Sequence, residues 1–574
     1  MSKAPKNTTQ KTAKKADDKN MPWLKSYPDT FSWTYDGDDM SVHAMLDASA
    51  TRKPNQICTH FMGGELTYRE VAESVSKIAE RLQHLGVEKG TRVGICLPNS
   101  PYSVIAYYAI LKAGGTVVNF NPLYTKAELE HQIKDSGTEM MFAVDLNPYY
   151  DKVRSCMADT TLKTLIVCPF ADVLPGLKKV LFKVFKYFSI AKVEEDKHTH
   201  LYPNLLAKGA KPKPINIKAD KDIAVLQYTG GTTGKPKGAM LTHRNIVSNA
   251  EQVTRMLDGH SEDERIMGVL PLFHVFAMTV VMNLAIRVGG RIILLPKFEI
   301  KQLLKAIDEC KPTLFPSVPT IFNAINNYEK VDKYDLTSIE FCISGGAPLP
   351  KAVKENFEKH TGCMVVEGYG LSEASPVVSC NPRHTGGKIE SIGLPLPGTE
   401  IAIYDIDEVG KPVADGQRGE VYVRGPQVMA AYWKNKEATK ETFHKDWLRT
   451  GDVGYMDDEG YTFLTDRLKD VIICSGYKVY PRLIEELYYK HPAVAEVTVV
   501  GIKDDYRGEA PKAFVKLKEG KSASVDELMA YGKENLNPIE RPTAIDIRKE
   551  LPKTMIGKLS KKELKAEEEE KTSK

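Results

Sequence analysis

The chain has 574 residues, with 79 lysines and arginines against 75 aspartates and glutamates and a formal charge of +4. Charge this close to balance gives no argument for nucleic acid as the main partner, and an apolar content of 42% excludes disorder of the whole chain. No apolar run reaches the roughly 18 residues that a membrane-spanning helix needs; Val275 to Ile286 is too short and contains Asn283. The nine cysteines are scattered without a CxxC pair, which fits a reducing compartment and argues against a disulfide frame or a structural zinc site. Without the apolar core of a signal peptide at its start, the chain reads as cytoplasmic, either soluble or held on the inner face of the cytoplasmic membrane. Length alone suggests about four domains, a number that large α/β units would lower.

Residues 1–22 are polar and lysine-rich and read as a disordered basic tail. From Ser41 to about Ile166, helical patches (Tyr68 to Leu85, Pro101 to Ala113) alternate with strand-like ones (Arg92 to Leu97). That alternation predicts a parallel sheet covered by helices on both faces. Between Leu177 and Val193 the spacing places Leu177, Val180, Leu181, Val184, Phe185 and Phe188 on one helical stripe, with Lys178, Lys179, Lys183 and Lys186 largely away from it. Two readings stay open: a basic amphipathic helix on an anionic bilayer, or a surface helix packed on its own core. Residues 196–220 read as a polar loop.

The stretch from Leu226 to His243, LQYTGGTTGKPKGAMLTH, organises the rest. An apolar strand from Ile223 to Leu226 runs into glycines, threonines and lysines, and helix formers resume after Thr242, a candidate N-cap. Glycine brings backbone N–H groups close to an anion, while threonine adds hydroxyls and lysine adds charge. The loop is therefore built to hold phosphate, although Gly230 and Gly234 stand too close together for a P-loop. The α/β rhythm continues to about Leu371. From about 391 to 450, short β-rich runs between Gly and Pro turns predict a small antiparallel or barrel-like unit. A compact α+β region follows Lys469 and ends in a charged tail at 566–574.

Further motifs join the loop: GYGLSEASP (Gly368 to Pro376), WLRTGDVGYMDDEGY (Trp447 to Tyr461), DRLKDVIICSGYKVYP (Asp466 to Pro481) and LPKTMIGKLSKKEL (Leu551 to Leu564). In this order and at these separations the chain resembles the AMP-forming acyl-CoA synthetases, within the superfamily that includes firefly luciferase and peptide-synthetase adenylation domains. The segments NPLYTKAELEHQIKDSG (Asn121 to Gly137) and PWLKSYP are most similar to bacterial long-chain fatty acid–CoA ligases. The resemblance implies an α/β fold whose N-terminal domain, 23–466, holds two α/β subdomains and a β-barrel. A hinge at 467–469 and a small mobile α+β C-terminal domain at 470–565 complete it. It implies a long-chain fatty acid, ATP and coenzyme A as substrates and Mg2+ as cofactor, and it leaves a homodimer open.

Residue by residue, the resemblance implies that Thr229, Gly230, Gly231, Thr232, Thr233, Gly234, Lys235 and Lys237 close over the β- and γ-phosphates. Thr229 and Glu373 would hold magnesium, which prefers hard oxygen ligands. Tyr369 would stack on adenine, with Gly345, Gly346 and Ala347 lining the base and Glu367, Gly368, Gly370 and Ser372 nearby. Asp452 and Arg467 would bind the ribose hydroxyls. Lys558 falls at the catalytic lysine, His274 beside the acyl carboxylate, Lys469 at the hinge, and Gly476 where the pantetheine arm of CoA passes. Two positions depart from the pattern: Ile473 stands where some members carry a lysine for the thioester step, and Met278 where some long-chain enzymes carry a gating tryptophan. An acyl-AMP ligase loading a carrier protein, a medium-chain or aryl-CoA ligase, and a non-enzymatic lipid or nucleotide sensor are the alternatives.

Overall fold

In the computed structural model the described residues are 21–28, 32–35, 37–229, 236–257, 263–383, 385–554 and 558–572. Two large sheets form the N-terminal part. The first has eight strands in the order Ala431–Tyr432, Lys237–Thr242, Ile223–Thr229, Thr116–Asn119, Arg92–Cys96, Met140–Val144, Thr164–Cys168 and Thr199–Leu201. From Ile223–Thr229 onward every neighbour is parallel. The second has nine strands, parallel from Met364–Gly370 through Phe341–Ser344, Leu314–Ser317, Arg265–Gly268 and Arg291–Leu294 to Ile57–Phe61. Strands such as Thr116–Asn119, Met140–Val144 and Phe341–Ser344 are buried throughout, as expected where helices cover both faces of a parallel sheet.

Local signals explain the helices. Thr67 and Glu70 form a reciprocal cap at the start of Tyr68–His84, and Thr125 and Glu128 do the same for Lys126–Ser136. Tyr68, Val71, Val75, Ile78 and Leu82 make the buried face of the first. Pro101–Lys112 opens on proline and is buried almost all round, because it lies between the two sheets. The sheets are tied by buried polar groups. Asn99 donates to the carbonyls of Gly268 and Leu270, and its Oδ1 accepts from Leu272 N–H. Thr242 caps His243–Met256 through the N–H of Asn245, as the sequence predicts.

The β-rich unit is an antiparallel sheet of Glu400–Tyr404, Gly419–Arg424, Trp447–Met456 and Phe443–His444, with Thr462–Arg467 paired to the second half of Trp447–Met456. Its strands extend to Arg467, beyond the expected 450, because the paired residues of Thr462–Arg467 complete its ladder. The C-terminal part is α+β: a long hairpin, Val494–Asp504 with Gly508–Leu517, flanked by Ile472–Cys474, Tyr477–Val479 and the parallel strand Ala544–Ile547.

Four further expectations need correction or limits. Residues 196–220 are not all loop: Thr199–Leu201 adds an edge strand and Tyr202–Lys208 a helix whose Tyr202 and Leu205 are buried. Residues 566–572 of the expected charged tail are not free, since Lys561–Thr572 is one helix held by Lys512–Glu568 and Arg548–Glu567 pairs; residues 573–574 lie outside the described residues. The basic N-terminal stretch gives way by Pro22–Ser26 to a short helix that buries Trp23; residues 1–20 lie outside the described residues. The helix expected over Leu177–Val193 spans Gly176–Phe185, with a single turn at Tyr187–Ser189. Among the described residues, no helix is long and apolar enough to cross a membrane.

Candidate active site

The carboxyl ends of parallel strands from both sheets open on one cavity of about 1660 Å³, the position where open α/β sheets place their ligands. One sheet contributes Asn119 and Thr229; the other contributes Gly345, Gly346 and Ala347 after Phe341–Ser344, and Glu367 to Gly370 at the end of Met364–Gly370. The C-terminal part closes the cavity with Thr554, Lys558 and Lys561.

On the phosphate-loop side, Tyr432 links two expected residues. Backbone pairing of Tyr432 with Ala239 sets the ring beside the strand that carries Lys237. Lys237 Nζ lies 5.2 Å from the ring centroid, and the Tyr432 hydroxyl donates to Glu373 Oε1 at 2.6 Å. Burial, then the Glu373 carboxylate, push the Tyr432 phenol far up, so it stays a donor. Thr229 Oγ1 reaches the Lys237 carbonyl at 3.5 Å across the hairpin. A hydroxyl and a carboxylate on the cavity wall fit magnesium, which takes few protein ligands and keeps water and substrate phosphates. No cage of three or more His, Cys, Asp or Glu exists among the described residues.

On the opposite side, Asp452 and Arg467 are register partners in the antiparallel sheet, with Asp452 Oδ1 3.3 Å from Arg467 Nε. The Tyr369 hydroxyl donates to Asp452 Oδ2. The loop Ser344 to Ala347 needs glycine at Gly345 for contact and at Gly346 for its left-handed backbone. A Cβ on Gly345 would sit 2.8 Å from the Phe276 ring, and one on Gly346, at φ +82°, 2.7 Å from Lys558 Cε. Gly370 is as constrained, since its Cβ would meet the Pro376 carbonyl oxygen at 2.1 Å.

His274 and Lys558 meet near that loop. His274 caps a short helix, its Nδ1 accepting from Phe276 N–H at 3.3 Å. That bond leaves the ring proton on Nε2. Burial, reinforced by the Lys558 charge, lowers its pKa to about 3, so the ring is neutral. Lys558 is lowered to about 8 by burial and then by the Arg467 charge, with Asp452 opposing. Glu367 is raised to about 7 by burial, against the pull of Arg482.

Residues 46–433 match the model of the AMP-binding enzyme family, and residues 483–558 the AMP-binding enzyme C-terminal domain. The chain belongs to the AMP-binding enzyme family. Within it, the chain is 43% identical to a long-chain-fatty-acid–CoA ligase of Bacillus subtilis, covering 96% of this chain and 98% of that one. It is 37% identical to a protein of the same name from Escherichia coli O157:H7, over 95% and 98%. Among solved structures it superposes on ATP-bound MatB from Rhodopseudomonas palustris with a TM-score of 0.81 at 26% identity, covering 92% and 99%. On o-succinylbenzoate–CoA synthetase of Bacillus subtilis in complex with ATP and magnesium the score is 0.75 at 26% identity, covering 93% and 100%. An adenylate-forming fold with a large N-terminal and a smaller C-terminal part is common to this chain and these neighbours.

In this family member the cavity gathers Thr229, His274, Gly345, Gly346, Ala347, Glu367, Gly368, Tyr369, Gly370, Ser372, Glu373, Asp452, Arg467, Lys469 and Lys558. Lys237 reaches it through Tyr432. Gly230, Gly231, Thr232, Thr233, Gly234 and Lys235 lie outside the described residues. Two expected residues are elsewhere. Gly476 sits at φ +82° in the turn between Ile472–Cys474 and Tyr477–Val479, outside the cavity wall, and a Cβ there would meet nothing within 4 Å. Its glycine is required here by backbone conformation, not by crowding. Met278 is fully buried behind the wall, its sulfur 3.5 Å from Asn119 Nδ2. Sequence reading missed Tyr432, Phe276 and Arg482. An aromatic in the run Met429 to Trp433 was the one visible hint of the first, and nothing local marks the others.

Proposed function

We propose that the protein is a long-chain fatty acid–CoA ligase that converts a fatty acid carboxylate and ATP to acyl-AMP and pyrophosphate, then passes the acyl group to CoA. The observation that carries this reading is the convergence of Lys558, from the C-terminal part, on the Gly345–Gly346 loop, beside neutral His274 and the Asp452–Arg467 pair. A carboxylate attacking phosphorus brings two anions together, so the reaction needs fixed positive charge and donors more than covalent help. Lys558, about ten parts in eleven protonated at pH 7 for a pKa of about 8, bridges the attacking oxygen and an α-phosphate oxygen. His274 Nε2–H donates to the carboxylate and orients it, and being neutral it does not compete for the proton. Asp452 and Arg467 hold the ribose, and Tyr369 packs on the adenine. Glu373 and Thr229 would hold magnesium, which would supply charge neutralisation at the phosphates.

For the second step the CoA thiol, giving its proton to solvent, attacks the acyl carbonyl, and AMP leaves with the C–O bond electrons. Gly476 lies outside the cavity in the adenylating arrangement. The exposed Ile473 and Tyr477 beside it form an apolar face that rotation about Lys469 would bring to the crevice. The test of the reaction is AMP release from ATP, CoA and carboxylic acids of graded length. Release with palmitate and not with acetate or benzoate is expected; the reverse pattern moves the chain to another ligase class, and turnover that needs a carrier protein in place of CoA moves it to the acyl-AMP ligases.

The Gly176–Phe185 helix supports reversible contact with the inner face of an anionic membrane. None of its residues is buried; Leu177, Val180, Val184 and Phe185 are exposed, and Phe188 just beyond is 94% exposed. Only Phe182 turns inward, onto Phe170. Lysines flank this apolar stripe, although Lys179 and Lys183 also lean on Asp172. Replacing Lys178, Lys179, Lys183 and Lys186 with Glu should abolish sedimentation with anionic vesicles; unchanged binding would remove the membrane from the reading.

A further inference from the structure

The adenylating arrangement requires that the C-terminal part be held against the N-terminal part while Lys558 points into the cavity. We infer that Arg482 is the positioning residue that holds it there, so that its loss slows acyl-adenylate formation while sparing thioester formation. This rests on the ligase reading above.

Arg482 sits in the first turn of Pro481–Tyr489, past the expected hinge, and its side chain is 11% accessible. Three of its donors are engaged. Its backbone N–H donates to Asp466 Oδ2 at 2.8 Å, and Nη1 donates to the Leu464 carbonyl at 3.0 Å. Both acceptors lie on Thr462–Arg467, the strand that positions Arg467 against Asp452. Nε is fixed by Glu486 of its own helix at 2.8 Å, which aims the guanidinium across the boundary. The guanidinium also faces Glu367 electrostatically across the cavity wall. A planar guanidinium satisfies several such directions at once, which an ammonium cannot.

Lys561 also senses Asp466 across this boundary, but its hydrogen-bonded partner is Glu485 of its own part; the remaining contacts are weaker. Lys478 pairs with Asp407 at 3.0 Å on the surface, where Asp407 is largely exposed, and such pairs contribute little. Arg418 approaches the Tyr480 ring at 5.7 Å. Among the described residues, Arg482 combines a largely buried side chain with a guanidinium bond to the strand beside the nucleotide-side pair. It makes no bond to Lys558; it lines the cavity wall beside Glu367, and its guanidinium bonds run to the Leu464 carbonyl and to Glu486, so it acts by placement.

The experiment separates the two half-reactions in the full-length enzyme. ATP–pyrophosphate exchange with palmitate reads adenylation; conversion of supplied palmitoyl-AMP and CoA to palmitoyl-CoA reads the second step. Arg482→Gln should lower exchange roughly tenfold or more, the scale of a lost hydrogen bond from a charged group, and leave the second step within about twofold of wild type. Arg482→Lys should recover only part of the loss, and Lys478→Ala should change exchange by less than about threefold. Equal loss in both half-reactions would assign Arg482 a merely structural role, and wild-type exchange in Arg482→Gln would remove it as the docking residue. If the wild-type enzyme itself shows no palmitate-dependent exchange, the ligase reading fails first, and the two failures stay distinct.

Discussion

Lys558 and Lys561 stand three residues apart, and the surroundings of the two are opposite. Lys561 opens the helix Lys561–Thr572, where the dipole disfavours a cation. Its Nζ is 2.9 Å from Glu485 Oε1, and although burial works to lower its pKa, Glu485, Asp466 and Asp470 outweigh that and raise it. Lys558 lies in the turn closed by Thr554, which donates to its carbonyl and accepts from its N–H. There burial and the Arg467 charge prevail over the support of Asp452. One cation is saturated by the fold. The other is left short of counter-charge, and a nucleotide phosphate and a carboxylate would supply it. The same basic stretch divides its lysines between stability and chemistry by what carboxylates the fold brings to each.

The largest expected effect tests that division directly. Lys558→Ala should lower ATP–pyrophosphate exchange by about 10²- to 10³-fold, the cost of one missing group that stabilises developing charge. Retention of normal exchange would break the assignment of Lys558 to the reaction. Its folding stability should be unchanged or higher, because the variant removes a buried, under-compensated charge.

Lys561→Met should show the reverse. Removing one partner leaves Glu485, Asp466 and Asp470 facing each other, at a cost near about 3 kcal/mol, the lower end for a buried pair because the Lys561 side chain keeps 20% of its exposure. Urea unfolding measures it. A Lys561→Met enzyme as stable as wild type but as inactive as Lys558→Ala would erase the distinction between the two lysines.

The pH dependence sharpens it further. With a pKa of about 8 in the folded enzyme, Lys558 loses its charge as pH rises, so kcat/KM for adenylation should fall about tenfold per unit well above pH 8. The folded pKa is depressed below the ordinary 10.5, so between about 8 and 10.5 the unfolded chain binds more protons. This lysine's penalty is therefore full below pH 8 and relieved as pH rises toward 10.5. Wild-type stability should gain on Lys558→Met across that window; parallel pH profiles of the two proteins would contradict the depressed pKa.

Much of this was legible in the sequence, and the limits have physical causes. The strand into Thr229 and the Thr242 cap follow from local chemistry, and the structure places them as expected; the pairing of Asp452 with Arg467 came from the family resemblance, and the two are paired here. Tyr432 and Arg482 were not legible, because each acts through partners 59 and 16 to 18 residues away in sequence. Two apolar stretches show the same limit. Val275 to Val288 and Gly176–Phe185 are both rich in apolar residues, yet the first is core around a turn of wider helix at Met278–Asn283 and the second faces solvent. Composition does not say which surface an apolar stripe meets; the sheets beside it decide.

The smallest expected effect lies where Arg482 faces Glu367. Glu367 accepts from Leu349 N–H at 3.3 Å and senses Arg482 and Lys354 as attraction and Glu390 as repulsion, yet burial dominates and holds its pKa at about 7. Because that value lies above the ordinary 4.5, the folded state keeps the proton longer; the resulting penalty is absent below about pH 4.5 and full above about pH 7. The charge that appears between pH 6 and 8 strengthens the attraction to Arg482 across the boundary. Exchange by wild type should therefore rise relative to Glu367→Gln by about two- to fivefold over that interval, the scale of a partly shielded ion pair. In an Arg482→Gln background the same comparison should be flat, since the partner is gone. A rise that persists without Arg482 would place the effect of Glu367 on the nucleotide itself rather than on the docking of the C-terminal part.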